Sequence, residues 1–319
     1  MAKVFGAEST TDEVLEGVDL TGKRVLVTGV SAGLGVETAR VLVAHGAHVV
    51  GTARDLDKAR TATAGIPTAT NDGPGLQLEE LDLASLASVR ACTTRLNATG
   101  KLFDVVIANA GIMACPQGKT ADGFETQFGT NHLGHFVLVN RIVRILKSGW
   151  RLVNLSSGGH VFSDVNLDDP NFERTPYDPF ASYGRSKTAN ILFAVEFDRR
   201  HKDQGIRATA VHPGAIHTEL GRHMTPETIK QIMEALAAAA KDGDTSGGFK
   251  SVPQGAATSV WAGFVAASDA VGGRYCEDCH VAETVAQPGL AGGVMAYALD
   301  AGNAKALWAK SEQMVGERF

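Results

Sequence analysis

The sequence predicts an α/β fold, a doubly wound parallel sheet of seven strands with helices on both faces. Two observations predict it. Short runs rich in β-branched residues alternate along the chain with longer segments of helical period, the pattern of a parallel sheet covered by crossover helices. Most of those runs are also nearly continuously apolar, as strands buried on both faces are, whereas half-exposed antiparallel strands alternate with polar residues.

The elements follow in order. A strand at Arg24 to Thr28 leads into a helix at Gly35 to His45, and further strands lie at His48 to Thr52 and Leu76 to Leu81. After a helix at Leu86 to Asn97 comes a fourth strand at Asp104 to Ala108, then a long helix at Gly123 to Leu146 and a fifth strand at Arg151 to Leu155. A helix at Ser182 to His201 precedes a sixth strand at Ile206 to Val211, and a helix at Ala256 to Ala267 precedes a weak seventh strand at Gly273 to Tyr275. No linker, internal repeat or low-complexity tract interrupts the series, so residues 1–319 read as a single domain. Two stretches are too long for simple connections and read as substrate-loop insertions, near 158–181 and 215–250. Within the second, Ile229 to Ala240 is helical and amphipathic with few basic residues on its polar face, which suits a cover over a hydrophobic substrate better than a membrane contact.

Bulk properties exclude several classes of partner. With 44% hydrophobic and 20% charged residues the chain has material for a sizeable core, and a net charge of -5 without any Lys/Arg cluster gives nucleic acid or an anionic membrane little to bind. The first twenty residues lack the apolar core of a signal peptide, and the uncharged stretch Ser251 to Ser268 suits a buried helix better than a span, so the expected location is the cytoplasm. Four cysteines are too few for a disulfide framework and read as reduced thiols.

The chemistry begins where the first strand ends, in Thr28-Gly29-Val30-Ser31-Ala32-Gly33-Leu34-Gly35. Strand, glycine turn and helix in that order form a dinucleotide cradle: the glycines at 29, 33 and 35 let the backbone turn sharply and bring helix-start N–H groups to a pyrophosphate. The domain is therefore of Rossmann type. After the second strand an NAD-preferring fold usually carries an acidic residue, but here Ala53 is followed by Arg54. A guanidinium at Arg54, helped by the Ser31 hydroxyl, would pair with a 2′-phosphate, which favours NADP over NAD; alternatively Arg54 is a solvated charge packing over adenine. Asp82 and Leu83 after the third strand either hold the adenine amino group or, for Asp82, cap the next helix.

Six pieces now fall in sequence: the Thr28 to Gly35 turn, Asn109-Ala110-Gly111, Asn131, Ser156-Ser157, Tyr183-x-x-x-Lys187 and His212-Pro213-Gly214. Together, over roughly residues 20–220, they resemble the short-chain dehydrogenase/reductase family. Three segments are similar to its branch of retinol dehydrogenases and the WW-domain-containing oxidoreductase: Thr10 to Gly17, Asn131 to Phe136 and Ala181 to Asn190. The resemblance implies a nicotinamide-dependent oxidoreductase acting on a hydrophobic secondary alcohol or ketone, assembled as a homo-dimer or homo-tetramer. A nucleotide-sensing protein without turnover, or an epimerase or dehydratase on the same fold, is the alternative.

Tyr183 and Lys187, four apart on a helix, share a face. A free phenol titrates near pH 10, so its use as a base needs nearby positive charge, which Lys187 and an oxidised nicotinamide can supply. In reduction Tyr183 donates a proton to the carbonyl oxygen while hydride arrives at the carbon. Ser157 steadies the oxyanion; strand alternation turns Ser156 the other way, and the family motif places its serine second. By the same resemblance Lys187 bonds the nicotinamide ribose, Asn131 holds a water linking Lys187 to solvent, and Pro213, Gly214, Ile216 and Thr218 face the nicotinamide, whereas Asn109 to Gly111 shape the floor. Cys276-Glu277-Asp278-Cys279-His280 contains a C-x-x-C without local partners for a fourth ligand, so no metal is expected. His160, His217 and His223 read as incidental loop residues, and His132 and His135 as packing.

Overall fold

The computed structural model describes residues 3–71, 73–225, 230, 234, 249–286 and 292–319. Its main sheet runs in the order β3-β2-β1-β4-β5-β6-β7-β8. The strands are β1 (Arg24–Thr28), β2 (His48–Ala53), β3 (Gly75–Glu80), β4 (Phe103–Ala108), β5 (Leu146–Leu155), β6 (Arg207–His212), β7 (Tyr275–Glu277) and β8 (His280–Val281). Seven are parallel, as expected. The eighth was not: Asp278 and Cys279 take left-handed φ of 47° and 58° and form a two-residue turn that folds β8 antiparallel onto β7. No glycine or asparagine advertises that hairpin in the sequence.

Alternation along each strand divides the core between the two faces. Leu26, Val106 and Leu152 belong to one buried cluster, and Val25, Val27, Val105 and Val153 to the other. Over the first face lies α7 (Pro179–His201), backed by the helix Ala301–Val315, whose Trp308 ring meets those of Phe136 and Phe193. Over the second lie α2 (Gly33–Ala44) and the helix Val252–Val260. Because β1 joins β2 on one side while β4 lies on its other side, a crevice opens at the carboxyl ends of the strands, where such sheets bind ligands.

The helix expected over Gly123 to Leu146 is broken. Gly123 is left-handed, the Glu125 carboxylate accepts the N–H groups of Gln127 and Phe128, and helix begins only at Thr126. A π turn at Gly129–Leu133 and a helix at Gly134–Arg141 follow, and Leu146 already belongs to β5. Caps also move other starts outward. Asp178 accepts the Ala181 N–H and starts α7 at Pro179, and a reciprocal Ser251/Gln254 cap starts the next helix at Val252. The seventh strand sits two residues later than expected, at Tyr275–Glu277. The amphipathic segment Ile229 to Ala240 lies outside the described residues except for Lys230 and Glu234. Among the described residues no helix is long and apolar enough to cross a membrane.

Candidate active site

The cradle at the end of β1 is shaped by close backbone approach. A Cβ on Gly35 would lie 2.1 Å from the Gly29 carbonyl oxygen, so only glycine lets α2 start this close to the turn. Asn109 braces the turn from β4, its amide donating to the Thr28 carbonyl at 2.8 Å, and the Ala110 N–H donates to the Thr28 hydroxyl at 2.9 Å. The N-cap of α2 is Ala32, which offers no side-chain acceptor, so the positive end of this twelve-residue helix is left to a ligand in the crevice. That geometry fits a dinucleotide pyrophosphate.

The crevice is a cavity of about 1200 Å³. It brings together Gly29, Ser31, Gly33, Leu34, Arg54, Asp82, Leu83, Asn109, Ala110 and Gly111 with Ser157, Tyr183, Lys187, Pro213, Gly214, Ile216 and Thr218. Two residues expected there do not line it. Gly35 packs behind the turn, and Asn131 is wholly buried in the π turn. The Asn131 amide accepts the Ile112 N–H and donates to the Ile112 carbonyl and the Ser186 hydroxyl, each at 2.9 Å. Its side chain braces the loop after β4 against α7. Asp82 is not the helix cap either: Ser85 is, while Asp82 accepts the Ala84 N–H at 2.9 Å.

At the far end of the crevice β5 and α7 meet. Both serines border the cavity, but the buried Ser156 hydroxyl is engaged with the Lys187 carbonyl at 2.8 Å, whereas that of Ser157 bonds within the site. The Ser157 hydroxyl accepts the Gly159 N–H at 3.0 Å, and a Cβ on Gly159 would stand 2.8 Å from the Tyr183 ring, which explains a glycine there. Tyr183 is only 3% exposed. Burial pushes its phenol up to about 12, and the hydrogen bond with Ser157 only partly offsets this. Lys187 is held under the ring, its ammonium 5.6 Å from the ring centroid and donating to the Leu155 carbonyl at 3.1 Å, and burial lowers it to about 8. Among the protein's own groups burial thus sets the direction of the shift, separately from the positive charge expected from an oxidised nicotinamide. Desolvation outweighs an ammonium turned toward a backbone carbonyl.

Several wall residues were invisible in the sequence. Phe162 and Phe180, ring centroids 5.8 Å apart, form an aromatic wall on the cavity near Tyr183. Lys250 and Asp278 form an ion pair on the cavity, with the lysine side chain only 8% exposed. Lys58, one turn beyond Arg54, pairs with Glu219 at 2.5 Å. These partners are separated by up to 161 positions, and nothing in the local sequence marks them. His160, read as an incidental loop residue, is completely buried and hydrogen-bonded through both ring nitrogens, whereas His132 and His135 do pack in the core. All four thiols are free and buried, with Cys276 pushed up to about 12 by burial, and the described residues contain no cluster able to hold a metal.

The model of the short chain dehydrogenase family matches residues 23–228. The chain belongs to that family. It is therefore placed among the NAD(P)-dependent oxidoreductases of the short-chain dehydrogenase/reductase type. A short-chain dehydrogenase/reductase, prx1, of Penicillium roqueforti is 39% identical over 93% of this chain and 86% of its own length. Human retinol dehydrogenase 14 is 40% identical over 92% of this chain and 87% of its own, which bears out the likeness to the retinol dehydrogenase branch. A crystal structure of an uncharacterized protein from Mycobacterium paratuberculosis superimposes with a TM-score of 0.72 at 32% identity, covering 99% of each chain. The NADP-bound angucycline C-6 ketoreductase LanV, 23% identical with a TM-score of 0.63 over 82% of this chain and 95% of its own, shares the fold.

Proposed function

We propose that this short-chain dehydrogenase/reductase reduces a hydrophobic ketone with NADPH, with Tyr183 as the proton donor. The observation that carries the reading is a phenol kept protonated by burial on the wall of the cavity, beside the Ser157 hydroxyl. A general acid must hold its proton until negative charge develops on the substrate, and a raised pKa does that at neutral pH. The aromatic wall of Phe162 and Phe180, and the retinol dehydrogenase name of a relative, favour an apolar substrate body.

Bound NADPH supplies the hydride that reaches the carbonyl carbon. Ser157 donates a hydrogen bond to the carbonyl oxygen, and Tyr183 passes its proton to that oxygen as the C=O bond becomes a C–OH. Lys187 carries its charge at neutral pH close to its titration point, which suits a group that bonds the coenzyme ribose. Preference for NADPH rests on Arg54. It is exposed and forms no ion pair with a described residue, while the neighbouring Asp55 carboxylate is spent on capping the helix Leu56–Ala62. A 2′-phosphate there meets the Arg54 guanidinium, with the Asp55 carboxylate held at the helix start through Oδ1.

The test is Tyr183→Phe, assayed on a panel of aromatic and bicyclic ketones by loss of the reduced-coenzyme absorbance. Turnover is expected to fall by about 10²–10⁴, with NADPH affinity kept within about twofold. Undiminished turnover would remove Tyr183 from the reaction.

A further inference from the structure

The peptide bond that follows Ser157 is gripped from both sides by histidine side chains. On one side, His160 Nδ1 lies 2.8 Å from the Ser157 carbonyl oxygen. On the other, the Gly158 N–H donates to His212 Nδ1 at 3.0 Å. A backbone N–H can only donate, so His212 Nδ1 carries no proton and its hydrogen sits on Nε2. For His160 the constraint is reversed. Its Nε2 accepts the Met295 N–H at 3.1 Å, which leaves the hydrogen on Nδ1, where it donates to the Ser157 carbonyl. The two rings are therefore neutral and of opposite tautomer, one donor and one acceptor to a single peptide unit.

We propose that His160 and His212 are positioning residues that clamp the Ser157–Gly158 peptide and so hold the Ser157 hydroxyl in register with Tyr183 and the substrate carbonyl. This rests on the reading of Ser157 given above. The clamp has anchors on two separate parts of the fold. The His160 carbonyl accepts the Tyr297 hydroxyl at 2.8 Å and the Thr188 hydroxyl at 3.2 Å, which ties the serine loop to α7 and to the C-terminal segment. His212 also receives the Gly214 N–H at 3.4 Å, which ties the same loop to the Pro213-Gly214 turn. Burial lowers the basicity of both rings, that of His212 to about 3 with the Lys250 ammonium adding to the effect, so each stays neutral at physiological pH. The Ser157 loop is thus aligned at once with the turn expected to face the nicotinamide and with the helix that carries Tyr183 and Lys187.

Two measurements test the clamp. Long-range proton–nitrogen correlation of the imidazoles in the intact protein is expected to give a neutral Nδ1–H ring for His160 and a neutral Nε2–H ring for His212; a protonated ring, or two rings of one tautomer, overturns the clamp. In steady-state assays with NADPH and the ketone turned over fastest in the panel, His160→Leu and His212→Leu are each expected to lower kcat roughly 10- to 100-fold, with coenzyme affinity unchanged in His160→Leu, because His160 lies off the crevice. Asparagine places an amide N–H or oxygen near the Nδ1 position, so His160→Asn and His212→Asn, which also serve if the leucine variants fail to fold, are expected to recover kcat to within about threefold of wild type. Asparagine variants as impaired as the leucine ones, or folded leucine variants with undiminished kcat, overturn the positioning role. Placed on a Ser157→Ala background, the same substitutions are expected to cost little more, because they act through that hydroxyl; full additivity contradicts them. Undiminished turnover in Ser157→Ala alone overturns the functional reading and the positioning role with it, while the tautomers are read independently of turnover.

Discussion

The two ends of the crevice are built on different principles. Where the dinucleotide cradle lies, backbone does the shaping: a glycine turn, an uncapped helix start and an Asn109 brace bonded to main-chain carbonyls. At the Tyr183 end, side chains distant in sequence do it. Ser157 is held through His160 by Met295, and Lys250 from the far side of the second insertion meets Asp278 on the β7–β8 hairpin. The lesson is that a generic ligand, the pyrophosphate, is met by generic backbone, while the reacting atoms are met by a network that only the tertiary fold assembles.

That contrast predicts a separation of effects. The largest belongs to the Tyr183 end: Ser157→Ala is expected to lower kcat by about 10²–10³ without weakening coenzyme binding, as removal of an oxyanion donor does. Loss of coenzyme affinity in that variant, measured by fluorescence titration, would break the division between the two ends.

Lys187 stands between them and sharpens the comparison through stability. It titrates near 8 in the fold against 10.5 ordinarily, so between those values the unfolded chain holds more protons, and stability rises with pH across that window. Below about 8 the buried ammonium carries its full cost. Lys187→Met is therefore expected to gain up to roughly 3 kcal/mol in denaturant unfolding at neutral pH, with the gain fading toward pH 10.5. The Leu155 carbonyl keeps the Asn190 amide as a partner, so the substitution leaves that acceptor satisfied. Destabilisation at neutral pH would show that the ammonium is better solvated in the fold than its burial implies.

The smallest effect belongs to the outer rim of the coenzyme end. Arg54→Asp is expected to shift the ratio of NADPH to NADH affinity by about 10- to 100-fold toward NADH, the scale of one charge-assisted phosphate contact, with kcat at saturation unchanged. An unshifted ratio would mean that Arg54 is only a solvated charge.

The same contrast explains what the sequence could disclose. The parallel strands and the Gly29 to Gly35 cradle were legible because apolar runs and closely spaced glycines act locally. That Tyr183 and Lys187 share a helix face was legible because four residues make about one turn, while their part in the chemistry came from the resemblance of the whole motif set. The hairpin at Asp278 and Cys279 was not, because two non-glycine residues adopt left-handed φ without a turn signature. His160 was passed over for a different reason: its partners Met295 and Tyr297 lie more than a hundred positions away and beyond the family-matched residues 23–228. Spacing reveals that Lys187 is near Tyr183 but not that its ammonium turns to the Leu155 carbonyl or that burial dominates the phenol.

The central claim is that burial keeps the Tyr183 phenol protonated, ready to act as an acid. Ultraviolet difference titration of the wild type against Tyr183→Phe measures this directly in the coenzyme-free protein. The account predicts that no phenolate assignable to Tyr183 forms up to pH 10, the ordinary tyrosine value. A Tyr183 phenolate at neutral pH would contradict it.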